Sequence, residues 1–382
     1  MTPDIKGGRL FGWKKLTLVV LTALVLIGII SAFTYLYSHG EVEFEAPDFP
    51  ASSVVLAAVG DCSGYNIVKY QDESLDPLVS VRSLIEQSDI FLFNLEGVLL
   101  PPECLGFSTQ YPHQSCFVSP PSFASYMKTR TVTVASLANN HILDGGAIGI
   151  EETKVALEKN GVHYVGAGNN ASESCQPLLL TVKDVKIGIL AYNLFNEPVF
   201  SANENRPGAA SFMACNVTNS IRHLKEKADI AIVVLHWGKS WSQEVTTSQI
   251  STVDQLFHAG ADIVIGHHPH VLQAIKADGN HIAIFSLGNF ILRPDYAMPS
   301  NAHNSVVAFI EITAQGRVRR CFLYPIRLDG QGVPRLPTRS EATVILSTLA
   351  DLSEAFNTHI ETCKWMGVIV LQAKAYALKE DC

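Results

Sequence analysis

Apolar, β-rich runs recur along this chain, and five of them stop at a short polar signature. The signatures are Gly60-Asp61, Asn94-Leu95-Glu96, Ala138-Asn139-Asn140-His141, His236-Trp237-Gly238 and Gly266-His267-His268-Pro269-His270. In an open α/β sheet the carboxyl ends of the strands share one edge, and ligands bind there. Side chains remote in sequence would therefore meet. Aspartate, glutamate, asparagine and histidine supply the oxygen and imidazole donors that divalent ions take. The pattern points to a metal site, and with it to hydrolytic chemistry.

The apolar runs set the elements. Residues 53–60, 89–95, 131–138, 185–192, 229–235, 262–265 and 282–287 read as strands. Helical patterns fill 147–160, which Gly161 ends, and 247–259, which Gly260 ends. The β-runs 305–313 and 317–327 have no helix between them and read as antiparallel or edge strands, and 341–360 reads as helix. Alternating βα units predict an α/β fold with a central, largely parallel sheet covered by helices.

The N-terminal part places the site. Residues 16–38 carry no charged side chain and are rich in Leu, Val and Ile. At about 1.5 Å per residue such a run can cross a hydrocarbon core of roughly 30 Å. Lys6, Arg9, Lys14 and Lys15 precede it, and Glu41, Glu43 and Glu45 follow it. The cationic flank belongs in the cytoplasm. The expectation is a single-pass signal-anchor protein: a cytoplasmic tail over 1–15, a transmembrane helix over 16–38, a Pro- and Glu-rich stalk over 39–52, then an extracellular or lumenal domain. That domain runs over 53–330, with a C-terminal helical extension over 331–382.

Hydrophobic residues make up 47% and charged residues 17% of the chain, which suits a domain with a sizeable core. The net charge of −8 argues against broad nucleic-acid binding. All eight cysteines follow residue 38, so an oxidising compartment permits disulfides. Cys104 and Cys116 flank a Pro- and Gly-containing loop and are the first candidate pair. Asn170-Ala171-Ser172 and Asn216-Val217-Thr218 are sequons, relevant only in a eukaryotic secretory pathway.

The signatures divide by role. Asp61 follows an apolar strand as a metal ligand or as a turn or capping residue. Glu96 closes Phe91-Leu92-Phe93-Asn94-Leu95, where a carboxylate needs a cation or a donor; Asn94 brackets it. In Asn139-Asn140-His141, an amide oxygen is a reasonable ligand for a hard ion. His141 is placed to protonate a leaving group, with Asp144 to orient it. The same residues also suit a polar turn before a helix. His236 alone reads more readily as a satisfied core histidine than as a ligand. His267, His268 and His270 tip the balance, because three imidazoles in four positions are hard to explain as packing. Which of His267 and His268 points inward stays open. Asn94, Asn139, Gln273 and Asn289 are candidates for steadying ligands or touching substrate, or for a cap or turn.

The ordered series GDCSG (60–64), FNLEG (93–97), LANNHILDGG (137–146), VLHWG (234–238), GADIVIGHHPHVLQ (260–273) and FSLGNF (285–290) resembles the CapA family. These are capsule-synthesis proteins associated with poly-γ-glutamate production, themselves similar to calcineurin-like metallophosphatases. The resemblance covers residues 54–327. It implies a metallophosphatase-like layered β-sandwich flanked by helices. It also implies a divalent ion (Mn, Zn, Fe or Mg) on Asp61, Glu96, Asn140, His236 and the GHHPH histidines, with His141 as proton donor. The chain departs from the pattern at three places: Ser63 stands where metallophosphatases carry a histidine, Asn66 where CapA-like chains carry an arginine, and Ser240 where they carry an acid.

The function so implied is a membrane-anchored hydrolase of a phosphoester or a γ-glutamyl amide, tied to synthesis of an anionic polymer. The alternative is a non-catalytic, membrane-tethered scaffold for polymer synthesis or export subunits.

Overall fold

The computed structural model describes residues 47–65, 76–101, 116–195, 199–293 and 298–371, with parts of the 19–44 segment. The strand-rich runs sort into two facing sheets rather than one central sheet. The first carries the parallel set Val54–Cys62, Ile90–Leu95, Val132–Ser136 and His163–Val165. Antiparallel strands Asn304–Ile312, Val318–Leu328, Met366–Val370 and Glu361–Cys363 extend it on the other side of Val54–Cys62. The second carries the parallel set Val185–Asn193, Ile230–His236, Ile263–His267 and His281–Ile284. Antiparallel edges Leu178–Val182 and Ile275–Asp278 close it.

Side-chain alternation explains the two layers. In the first strand Val54, Leu56 and Ala58 face the inter-sheet core, where they meet Ile187, Ile189, Ile232, Val234 and Ile265 of the second sheet. Val55, Ala57 and Val59 face outward and pack with Ile150 and Leu157 of the helix Gly146–Lys159. The outer face of the second sheet carries Leu190, Val233 and Val264 against Ile221 of the helix Val217–Lys225 and Val253 and Leu256 of the helix Thr247–Ala259. Strands buried on both faces read as continuous apolar runs. Such runs do not reveal which sheet a strand joins.

Local signals end the elements as expected. Thr246 and Gln249 form a capping box before Thr247–Ala259, and Gly260 closes that helix at φ 111°. The predicted helix over 341–360 is Arg339–Glu354, started by a Thr338–Glu341 capping box. The 331–382 segment is more than a helical extension: its Glu361–Cys363 and Met366–Val370 hairpin joins the first sheet, and Ile345, Leu346 and Leu349 enter the inter-sheet core.

Among the described residues no helix is long and apolar enough to cross a membrane. Residues 22–32 of the expected 16–38 span are helical, with Leu24, Val25, Leu26, Ile27, Ile29 and Ile30 exposed; residues 16–18, 21, 33, 34, 36 and 37 lie outside the described set. In the expected stalk, Val42 is buried and its N–H donates to the Pro337 carbonyl, while Phe44 and Phe49 pack on Tyr324 and Phe309. Cys175 and Cys215, both described, form a disulfide that sequence reading did not anticipate. The Cys104–Cys116 pairing lies outside the described residues on its Cys104 side.

Candidate metal centre

The parallel strands of both sheets point their carboxyl ends at one place. Register fixes which residues meet: Asp61 lies opposite both Asn94 and Asn289, and His236 opposite His267. Two glycines allow the close approach. A Cβ on Gly60 would lie 2.0 Å from the Gly288 carbonyl oxygen, and one on Gly266 2.0 Å from that of Phe285.

Asp61 is fully buried. Its Oδ1 accepts from Asn94 Nδ2 at 2.8 Å, and its Oδ2 accepts from the His268 backbone N–H at 3.2 Å and lies 3.4 Å from His270 Nδ1. Glu96 is equally buried, yet neither carboxylate oxygen has a hydrogen-bond partner. Its Oε1 faces three imidazoles instead: His270 Nε2 at 3.6 Å, His141 Nε2 at 3.9 Å and His236 Nε2 at 4.0 Å. A buried carboxylate left in that state is costly. A cation among these donors would satisfy it.

The remaining residues build a frame around that point. Asn139 Nδ2 donates to Asn94 Oδ1 and to the Leu95 carbonyl, and its own Oδ1 receives the His141 N–H. Asn140 Oδ1 lies 2.7 Å from His236 Nε2, which is 3.1 Å from His268 Nδ1. His270 Nδ1 lies 2.9 Å from Asn289 Oδ1, leaving its Nε2 toward Glu96. Asn289 in turn donates to the Ala302 carbonyl, so it steadies His270. His141 Nδ1 lies 2.8 Å from Asp144 Oδ2, which also accepts the Phe117 N–H; Asp144 thus orients the imidazole. Two donor groups, Glu96–His236–His268 and Asp61–Glu96–His270, each hold their ligand atoms within 4.8 Å of one another.

Two sequence candidates stand apart. His267 Nε2 donates to the Val59 carbonyl at 3.0 Å, tying the second sheet to the first, so His268 is the inward member of the pair. The strand ends at His267, and His268 takes φ 93°, which breaks the alternation that sequence would extend. Gln273 also turns from the centre: its Nε2 donates to the Ser242 and Glu244 carbonyls, and its Oε1 accepts from Gln249. It braces the 242–244 loop. Of the three departures, Ser63 is buried with its N–H on the Ile291 carbonyl, and Ser240 Oγ lies 3.3 Å from His268 Nε2; Asn66 lies outside the described residues.

Electrostatics follows from burial and crowding. Burial raises the Glu96 pKa to about 7, with the Asp61 charge adding to the rise and His270 opposing it. Burial alone would raise Asp61 as well, but the His270 hydrogen bond and the charges of His267, His270 and His236 hold its carboxyl well below the usual range. His270 is desolvated too, yet Glu96 and Asp61 lift its pKa to about 9. Burial holds His236 and His267 low, and takes His268 down to about 3. Neutral imidazoles beside carboxylates are the donor state a divalent ion requires.

Sequence reading missed an aromatic lining. Phe117 stacks on His141 at 4.2 Å between ring centroids, Phe195 lies over His268 at 4.0 Å, and Trp241 lies beside His270 at 5.0 Å. These residues sit in loops with no periodicity, and only Trp241's place three residues after His236-Trp237-Gly238 hinted at the site.

Residues 55–294 match the family described as bacterial capsule synthesis protein PGA_cap. The capsule biosynthesis protein CapA of Bacillus anthracis is 32% identical over 169 residues, 43% of this chain and 41% of the relative, so the match spans less than half of that protein. A probable polyglutamine synthesis accessory protein of Mycobacterium tuberculosis is 25% identical over 290 residues, 72% of this chain and 75% of the relative. Among solved structures, a phosphatase from Mycoplasma pneumoniae aligns at 16% identity and a TM-score of 0.45, over 72% of this chain and 94% of that one.

Proposed function

The chain belongs to the bacterial capsule synthesis protein family PGA_cap, and within it we propose a membrane-anchored, metal-dependent hydrolase serving an anionic capsule polymer of the poly-γ-glutamate kind. One observation carries this reading: both oxygens of the buried Glu96 carboxylate lack a hydrogen-bond partner while three imidazole nitrogens converge on its Oε1. The donor set fits a divalent ion, with Asp61, Glu96, Asn140, His236, His268 and His270 to hold it. Mixed carboxylate, amide and imidazole donors suit Mn, Fe, Zn or Mg. A bound ion would polarise the scissile phosphoester or γ-glutamyl amide and lower the pKa of an attacking water.

The chain's own residues supply the rest. Asp144 fixes the His141 ring with Nδ1 on its carboxylate, so Nε2 faces the centre, 3.9 Å from Glu96 Oε1. From there His141 hands a proton to the departing oxygen or nitrogen. Phe117, stacked on the ring and bonded through its own N–H to Asp144, keeps the pair in place and excludes water from one side. The exposed apolar helix over 22–32 supports the anchor, and Val42 ties the following segment to the body through Pro337.

The test is turnover of phosphodiester and γ-glutamyl substrates by the protein loaded with each metal in turn. Hydrolysis of either, lost in His141→Ala, supports the reading. Metal held firmly without turnover of any substrate would contradict it and favour the tethered scaffold, for which Ser63, Asn66 and Ser240 are the supporting departures.

A further inference from the structure

A β-sheet ends in a strand whose outward backbone groups have no neighbour, and folded proteins guard such edges against pairing with another chain. Most edges of the two large sheets are guarded here. In the first sheet the end strands His163–Val165 and Glu361–Cys363 are three residues each, a short template for a foreign strand. In the second, Ile275–Asp278 carries Lys276 and Asp278, and its outward N–H groups are already taken. Ile275 donates to Ser353 Oγ at 3.0 Å and Ala277 to Thr358 Oγ1 at 2.9 Å.

The opposite end of that sheet has none of these devices. Leu178–Val182 reads LLLTV, five residues without charge, proline or bulge. Lys183 and Asp184, both at positive φ, form the two-residue turn to Val185–Asn193. Such a turn makes Val182 and Val185 a hydrogen-bonded pair. Leu178, Leu180 and Val182 therefore bond inward, while Leu179 and Thr181 turn their N–H and C=O groups outward. Among the described residues, nothing bonds to those outward groups. Leu179 is 49% exposed and Thr181 is exposed too, while Leu178, Leu180 and Val182 are half-buried at the margin of the inter-sheet core.

We propose that this edge docks a second copy of the chain, joining two six-stranded sheets across a two-fold axis at Leu180. The register selects the occupant. An antiparallel pair centred on Leu180 sets Leu179 opposite Thr181 of the second copy, and Thr181 opposite its Leu179. These are the residues whose bonding groups point outward, so each pair exchanges both its hydrogen bonds. Leu180 meets Leu180 and Leu178 meets Val182, so half-buried apolar side chains cover one another with no like charges opposed. A centre at Leu179 would set Thr181 against Pro177, which has no N–H. One at Thr181 would set Leu179 against the turn residue Lys183. What this strand needs in a mate, it supplies itself.

The test is sedimentation equilibrium of the full chain in dodecyl maltoside, beside Thr181→Pro. The Thr181 N–H bonds to nothing within the chain, so proline is tolerated there as at other edge positions, yet it removes a donor from each copy. Wild type sediments as a dimer, and Thr181→Pro raises the dimer Kd about thirtyfold, the loss of two hydrogen bonds, with an unchanged circular dichroism spectrum. Cysteine pairs read the register. Leu180→Cys places two thiols across the axis on a non-hydrogen-bonded pair, Cα atoms about 4.5 Å apart, and gives a disulfide-linked dimer under mild oxidation, above the wild-type background. Thr181→Cys, offset along the strand, does not. A monomeric wild type, or a dimer equally tight in Thr181→Pro, overturns the proposal. So does cross-linking of Thr181→Cys in preference to Leu180→Cys. If Thr181→Pro misfolds, the cysteine pairs decide: a Leu180→Cys dimer supports the edge, and its absence overturns it.

Discussion

Replacing Glu96 with glutamine separates what the centre costs from what it does. The carboxylate is fully buried with no hydrogen-bond partner on either oxygen, and its pKa stands at about 7 against an ordinary 4.5. For an acid shifted upward, the sign is a penalty: absent below about pH 4.5 and fully present above about pH 7. Moving the pKa over that interval is worth about 3 kcal/mol against the charged form at neutral pH. The glutamine amide keeps a buried polar group, which costs about 1–2 kcal/mol when poorly partnered. Glu96→Gln should therefore stabilise the metal-free protein by about 1–2 kcal/mol, raising its Tm by roughly 2–4 °C. Thermal melts in EDTA at pH 7.5 and pH 5 read this out. The gain appears at pH 7.5 and shrinks at pH 5, where wild type no longer bears the charge. The same variant loses the rise in Tm that added Mn²⁺ or Zn²⁺ gives wild type. A variant less stable than wild type in EDTA at pH 7.5 would refute the reasoning, since it would mean that the carboxylate is satisfied by the protein alone.

Metal affinity should fall with acid, because His270 (pKa about 9) and Glu96 (about 7) must both release protons to act as ligands; the loss is about tenfold per pH unit between 9 and 7 and steeper below 7. Competition with a metal indicator checks it, and a flat profile contradicts it. Gly60→Ala pushes a methyl onto the Gly288 carbonyl, where neither backbone can yield, and should cost about 3 kcal/mol in urea unfolding; a Tm within a degree of wild type speaks against the close strand approach. Opening the Cys175–Cys215 disulfide, which closes a span of 40 residues, should cost up to about 4 kcal/mol in the double serine variant. An unchanged unfolding midpoint would place that stabilisation elsewhere.

Much of the centre was legible because its residues end strands. Asp61, Glu96, His236 and the histidine loop follow apolar runs, and parallel strands necessarily bring such ends to one edge. Helix stops were legible for the same local reason, as Gly260 illustrates. The division into two sheets was not, since strands buried on both faces carry no mark of their partner; only the resemblance to metallophosphatases implied a sandwich. Nor could sequence choose between His267 and His268. That choice is made by the positive φ at His268 and by the Val59 carbonyl across the sheets. Gln273 looked like a site residue because it follows the histidines, whereas its amide is consumed by the Ser242 and Glu244 carbonyls. The Cys175–Cys215 bond joins residues that only the tertiary fold brings together.

The central claim is that Asp61, Glu96, Asn140, His236, His268 and His270 cage a divalent ion while His267 ties the sheets. Elemental analysis of purified wild type, His236→Ala, His270→Ala and His267→Asn, each exposed to Mn, Fe, Zn and Mg and dialysed, tests it most directly. The account predicts at least one retained ion per chain in wild type and in His267→Asn, and none in His236→Ala or His270→Ala. A wild type that retains nothing, or a His270→Ala chain at full occupancy, would contradict it.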